Sequence, residues 1–179
     1  MELESYTQTL DELTGKQITI YLYENVQDIE NVHAKVVNKE LPCCIIKANV
    51  IVDPFQLVIA ANKAALNEKY GQMVTRSIFT EVIYSLSISK NISQALKDFG
   101  ISSDHKTNNY LVVLVHTAED LEELNKLVVN CIKGERKPIS QLSELANLKL
   151  IKKLYKVDDR ELKVSNLIDS IVSKISEKK

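Results

Sequence analysis

The stretch from Ala48 to Ser103 constrains the fold more than any other, because it punctuates itself as three successive helices. Asp53-Pro54-Phe55-Gln56 opens the first. An aspartate can accept from the free N–H groups of a helical first turn, and proline fits the first position because no N–H is needed there. Gln56 stands where it can reach back and complete a capping box. Leu57, Val58, Ala61, Ala64 and Ala65 recur at helical spacing, and so alanine-rich a stripe implies close approach by another helix or a sheet. Gly71 ends the run. The second helix, from about Thr75 to Leu86, divides into two arcs. Ile78, Phe79, Val82, Ile83 and Leu86 form an apolar arc, while Arg76, Thr80, Glu81, Tyr84 and Ser85 form a polar one. The third starts at Asn91, with Gln94 three residues on, buries Ile92, Ala95, Leu96 and Phe99, and stops at Gly100 in an expected left-handed turn.

Around this block the strands are few. Lys16 to Tyr23 (KQITIYLY) alternates and is rich in β-branched and aromatic residues, Cys43 to Ala48 reads as a short buried strand after Pro42, and Tyr110 to His116 (YLVVLVH) is the clearest buried strand. Asn25 is expected to cap a helix carrying Ile29, Val32 and Val36. Thr117 is expected to cap another, whose acids Glu119, Asp120, Glu122 and Glu123 lie early and Lys133 late, as the helix dipole favours. Leu121, Leu124, Val128 and Cys131 are its inner seam and Gly134 its stop. Residues 135–139 can add an edge strand. Short helices follow over Ser140 to Ala146 and Leu148 to Tyr155, then a longer one over Arg160 to Ile175 with Val164, Leu167, Ile168, Ile171, Val172 and Ile175 as its stripe. Strands separated by helices give an α+β fold, a small three- to four-stranded sheet packed against a helical layer. A chain of 179 residues, 45% hydrophobic and without a Pro/Gly/Ser-rich linker, supports one domain over residues 16–176. Residues 1–15 are left as an N-terminal extension, expected to be partly disordered over 1–14, and residues 177–179 as a polar tail.

Composition excludes more chemistry than it suggests. A formal net charge of −1 does not make a free-standing nucleic-acid binder. No run of eighteen apolar residues is present, and MELESYTQTLDEL is acidic rather than signal-like. The four glycines stand at helix ends or strand entrances, which leaves no glycine-rich loop to cradle a phosphate. His33, His105 and His116 lie far apart and have no ligand partner at metal spacing. Cys43, Cys44 and Cys131 follow no C-x-x-C pattern, which points to small buried hydrophobes in a reducing compartment. No serine, cysteine or threonine sits in a nucleophile-elbow context. The expectation is a chain without metal, cofactor or enzymatic activity of its own. Glu81 is the carboxylate that stands out, with a structural role, pairing with a neighbouring backbone or lysine, as the simpler reading than catalysis. From Lys133 to Lys156 seven basic residues face two acidic ones. The simplest reading of that run is a solvated face, and the sharper one a patch for RNA phosphate or an acidic protein surface.

The blocks VIVDPFQLVIAANKA, TRSIFTEVIYSLS and NISQALKDFGIS, in that order and spacing and supported by IKKLYKV at Ile151 to Val157, resemble the kinase-binding subunit of the KEOPS (EKC) complex, the TPRKB family. The resemblance covers about Lys16 to Ile175, and fades over the first fifteen residues, the polar loop Ser102 to Asn109 and the lysine-rich tail. Glu81 falls where the family motif also places an acid. The resemblance implies a non-catalytic regulatory subunit, cytoplasmic and nuclear, that binds a small PRPK-like kinase/ATPase. Through that kinase it would meet the threonylcarbamoyl transferase subunit and support threonylcarbamoyladenosine modification of tRNA. Archaeal relatives also hold the tRNA's CCA end. The kinase contact is expected on the C-terminal portion, at Lys153, Leu154, Tyr155, Leu167 and Ile171. The tRNA contact is expected on the polar arc of the second central helix, where Arg76, Thr80 and Tyr84 are one turn apart, extended by Lys63 and Lys90. Such a set pairs an arginine for phosphate with a tyrosine for stacking. The competing expectation is a stand-alone RNA-binding module with no kinase partner, whose mark would be basic and aromatic residues in one cluster. The chain has no Trp and three Phe, of which Phe79 and Phe99 face the core by periodicity.

Overall fold

In the computed structural model, which describes residues 5–102 and 107–178, five antiparallel strands form one sheet with helices on both faces. The strands are β1 (Tyr6–Thr9), β2 (Gln17–Gln27), β3 (Cys44–Lys47), β4 (Tyr110–His116) and β5 (Lys133–Lys137). Their order is β1-β2-β4-β3, and β5 also pairs with β2. Since β4 runs along Gln17 to Tyr23 of β2, β1 and β5 share the opposite edge of that long strand, β1 against Gln17–Ile20 and β5 against Leu22–Gln27.

β4 is buried along its whole length because both of its faces are covered. Leu111, Val113 and Val115 join Ile18, Ile20 and Leu22 of β2 in the larger core, under α2 (Pro54–Lys69), α3 (Ile78–Leu86), α4 (Ile92–Phe99), α6 (Leu142–Leu145), α7 (Leu148–Tyr155) and α8 (Leu167–Glu177). Tyr110, Val112 and Leu114 join Tyr21 and Tyr23 in a second core, under α1 (Ile29–Val37) and α5 (Leu121–Cys131). A strand buried on both faces reads as a continuous apolar run, which is how YLVVLVH reads. The expected single helical layer is thus joined by a second, smaller one.

The α2 start forms much as its residues dictate. The Asp53 carboxylate accepts from the Phe55 N–H at 2.9 Å with Pro54 at the first position, and Ala60, Ala61, Ala64 and Ala65 are buried. Gln56 does not close a capping box on Asp53. Its Oε1 accepts from the Val52 N–H at 3.1 Å, while its amide nitrogen donates to the Tyr155 hydroxyl at 2.9 Å. In α4 the Asn91 side chain caps the Gln94 N–H at 3.0 Å, with Ala95 and Phe99 buried and Ile92 and Leu96 half-buried.

Several expectations are corrected. Residues 6–9 are a strand of the sheet rather than part of a loose extension. The turn after them is lashed to α2, where Asn62 accepts from the Asp11 N–H at 2.8 Å and Lys69 donates to the Leu13 carbonyl at 2.5 Å. Asn25 is not a helix cap: it sits at φ 53° in an irregularity of β2 between Glu24 and Gln27, and α1 starts after Asp28. Asparagine tolerates this left-handed geometry better than most residues. Gly100 is extended rather than left-handed; a Cβ there would stand 2.8 Å from the Leu96 carbonyl oxygen, so space, not φ, demands glycine. Gly134 does not stop α5 but lies in β5, hard against the β2 backbone at Glu24 and Val26. The Thr117 hydroxyl donates to Asp120 Oδ2 at 2.8 Å and caps no backbone N–H. The long C-terminal helix is broken: a short turn at Glu161–Lys163 precedes α8, which starts at the Asn166 cap, and Val164 is 88% exposed.

Candidate functional site

Two surfaces carry the residues singled out by sequence. The first lies on α7 and α8. Here Tyr155 and Ile171 are both 0% exposed and belong to the core, so they offer nothing to a partner on this surface. The Tyr155 hydroxyl donates to the Leu86 carbonyl at 2.6 Å and accepts from Gln56, and its ring meets Phe99 edge-on at 5.7 Å. This one side chain joins α7 to α2, α3 and α4. Burial holds its phenol far above the ordinary range, with the Gln56 hydrogen bond opposing. Tyr155 stands four residues after Ile151, on the same side of α7, and both turn inward. The accessible members are Lys153, exposed at the rim, and Leu154 and Leu167, half-buried against the core. Exposed Val164 stands just before α8, and Leu148 at the start of α7 is also exposed. Val164 was read as part of a buried stripe; the break at 164–166 turns it outward.

The second surface surrounds α3. The expected polar arc is largely not solvent-facing: Glu81 is 0% and Tyr84 8% exposed, and Ser85 is buried with them. A helix this apolar packs on nearly all sides, here against α2, α4 and β3. Glu81 pins the loop between α2 and α3. Its Oε2 accepts from the Thr75 N–H at 2.8 Å and the Thr75 hydroxyl at 2.7 Å, and its Oε1 from the Val74 N–H at 3.1 Å and Asn67 at 3.4 Å. Its role is structural, as the simpler reading held.

Of the four residues expected around Tyr84, Arg76 and Lys90 are exposed and Thr80 is half-buried, its hydroxyl 3.0 Å from that of Ser77. Lys63 is turned to the end of α8, donating to the carbonyls of Ile175, at 2.9 Å, and Lys178. Burial lowers its pKa, and nearby Glu81 opposes that shift. The Lys178 ammonium lies 3.5 Å from the centre of the Tyr84 ring and donates to the carbonyls of Tyr84 at 2.5 Å and Ser87 at 2.8 Å. Lys178 was placed in a polar tail by sequence, and nothing in its local pattern marks it as a contact of α3. Beside it opens a groove of about 410 Å³ lined by Lys90, Lys156, Lys174 and Lys178, with Glu177 and Ile88.

The basic run of residues 133–156 is divided by the fold. Arg136 lies 4.4 Å over the Tyr21 ring and Lys137 pairs with Glu135 on β5, whereas Lys149, Lys152, Lys153 and Lys156 ride on and after α7. His116 is buried: its Nδ1 donates to the Thr117 carbonyl at 2.6 Å, so its Nε2 accepts from the Thr19 hydroxyl at 2.7 Å. His33 is exposed on α1, and His105 lies outside the described residues. Among the described residues no three His, Cys, Asp or Glu side chains gather as metal ligands, no helix is long and apolar enough to cross a membrane, and Cys43, Cys44 and Cys131 are free thiols.

Residues 23–179 match the family model described as kinase binding protein CGI-121. The EKC/KEOPS complex subunit TPRKB of Danio rerio is 34% identical over 170 residues, covering 95% of each chain. The EKC/KEOPS complex subunit cgi121 of Schizosaccharomyces pombe is 31% identical over 168 residues, covering 89% of this chain and 92% of that one. The corresponding subunit of Kluyveromyces lactis is 32% identical over 137 residues, or 75% of this chain and 83% of its own.

Proposed function

Because the chain belongs to the CGI-121 family of kinase-binding proteins, we propose that it is a non-catalytic subunit of an EKC/KEOPS complex that binds a small PRPK-like kinase. In that complex, cytoplasmic and nuclear, it supports threonylcarbamoyladenosine modification of tRNA. The observation that carries the reading is the extent of the likeness, which runs from the second half of β2 through α8 and so includes β3, β4, β5 and both helical layers. The conspicuous polar side chains fit it, since Glu81, Gln56 and His116 are all spent on internal hydrogen bonds.

The kinase contact is assigned to the outer side of α7 and the segment entering α8, through Lys153, Leu154, Leu167 and the exposed Val164. An interface of standard size buries about 1,600 Å², and a few central apolar anchors carry most of its energy. Val164→Asp and Leu167→Asp are expected to weaken kinase binding by an order of magnitude or more, because each would bury a charge in the contact. Circular dichroism should show both variants folded. Unchanged affinity in both would move the contact off this surface.

The tRNA contact is assigned to the surface around Tyr84, with Arg76, Thr80 and Lys90 at its accessible edge and Lys63 behind them. Arg76→Ala is expected to lower tRNA binding by the assembled complex and to reduce its salt dependence by about one counterion. Equal binding of tRNA with and without its CCA end would remove this part of the reading.

A further inference from the structure

One feature packed on α3 is something that a ligand would have to displace. Residue 178 is anchored three ways: its ammonium donates to the carbonyls of Tyr84 and Ser87, it covers the Tyr84 ring at 3.5 Å, and its own carbonyl accepts from Lys63. The same contacts occupy the aromatic face and one of the cations assigned to the RNA. We propose that the C-terminal turn at Lys178 is an autoinhibitory strap, which must leave α3 before a single-stranded RNA end can stack on Tyr84 and pair its phosphate with Lys63. The inference rests on the RNA reading above.

The strap is held by contacts that an anionic ligand can outbid. The Lys178 and Lys63 ammonium groups are spent on neutral carbonyl oxygens and an aromatic face. Phosphate offers these ammonium groups an opposite charge as well as an acceptor, an attraction that neutral carbonyls lack. The positive groups also oppose one another. Burial first, then repulsion from Lys63 and Lys90, pulls the Lys178 pKa down to about 8, with Glu81 pulling it back up. Glu81 offsets part of that crowding by its charge, while its oxygens accept from Val74, Thr75 and Asn67 rather than from either lysine. A phosphate entering the neighbouring groove would meet Lys90, Lys156 and Lys174, the last paired with Glu161, beside Glu177. The ligand therefore favours the open state, and a ligand shifts a two-state equilibrium by its differential affinity for the two states.

The test compares the full chain with Lys178→Ala and Lys178→Arg. The first readout needs no RNA: reactivity of the Tyr84 hydroxyl toward N-acetylimidazole, mapped by mass spectrometry, should rise in Lys178→Ala and stay at the wild-type level in Lys178→Arg. The second is affinity for a labelled single-stranded RNA ending in CCA. Lys178→Ala should bind up to about tenfold more tightly despite losing a positive charge, the gain expected when the competent state is about a tenth of the population. Adding Tyr84→Ala should abolish the gain. Weaker binding by Lys178→Ala would make Lys178 a phosphate contact and overturn the strap. RNA bound equally by both proteins, or Tyr84 reactivity unchanged, would overturn the strap alone. Absence of RNA binding in both, with Tyr84 uncovered, would overturn the RNA reading and the gating with it.

Discussion

Glu81 shows how far single residues could be read. Its sequence position put it on a polar arc, and the only clue to its burial was that structure was the simpler use for a lone acid there. In the fold it accepts from Val74, Thr75 and Asn67 with no solvent contact. Glu81→Gln would replace one acceptor oxygen by a donor, facing backbone N–H groups that are already donors. The expected loss is about 1–3 kcal/mol of unfolding free energy, measured by urea denaturation, with the far-UV spectrum retained. No loss would mean that the loop between α2 and α3 is held by something else. Tyr155, Cys43 and Cys44 make a pH prediction. Burial raises all three above their ordinary values, the Cys43 thiol to about 12. The unfolded thiols and phenol release protons near pH 9 and 10, where the folded protein retains them. The unfolded state therefore binds fewer protons in this range, so stability is complete below about pH 9 and falls as pH rises further. Tyr155→Phe should shallow the fall above pH 10; an unchanged slope would show that the phenol is not the group responsible.

At the scale of elements, start signals were the most legible because capping is local. Asp53 and Asn91 cap where sequence placed them, since an N-cap needs only a side-chain acceptor within three residues of the N–H it serves. Stops were harder. Gly71 does adopt φ 66°, but Gly100 and Gly134 are small because neighbouring backbone crowds them, and that backbone arrives from Leu96 in one case and from β2 in the other. Gly100→Ala is accordingly expected to cost about 1–3 kcal/mol by overpacking, with no backbone-conformational component. A thermal melt no lower than that of the parent would contradict it. The α3 helix was legible as a helix and misread as amphipathic. Periodicity locates a core-facing stripe, but it cannot report that α2, α4 and the end of α8 enclose the other arc. The break before α8 was missed for a related reason: Val164 continued the stripe numerically, and the Asn166 cap that restarts the helix was overlooked although Asn is a common start signal.

For the whole molecule, sequence carried the class of fold and its family, while the second helical layer and the pairing of β1 had to come from structure. β1 is short and polar, and only its β2 partner, with the turn tied to α2, makes it a strand. The surfaces were legible in part. Lys153, Leu154 and Leu167 remain accessible, whereas Tyr155 and Ile171 serve the core; Arg76 and Lys90 remain accessible, whereas Tyr84 lies under Lys178. Distinguishing these required knowing which neighbour closes over each residue, and those neighbours are distant in the chain. The central claim is that the molecule binds a kinase directly, with no need of RNA for that contact. Calorimetric titration of the full chain into the purified cognate kinase subunit, with RNA absent, tests it most directly. The account predicts a saturable one-to-one complex with a negative heat-capacity change, the mark of buried apolar surface. No complex under these conditions, or a complex that forms only when tRNA is added, would contradict it.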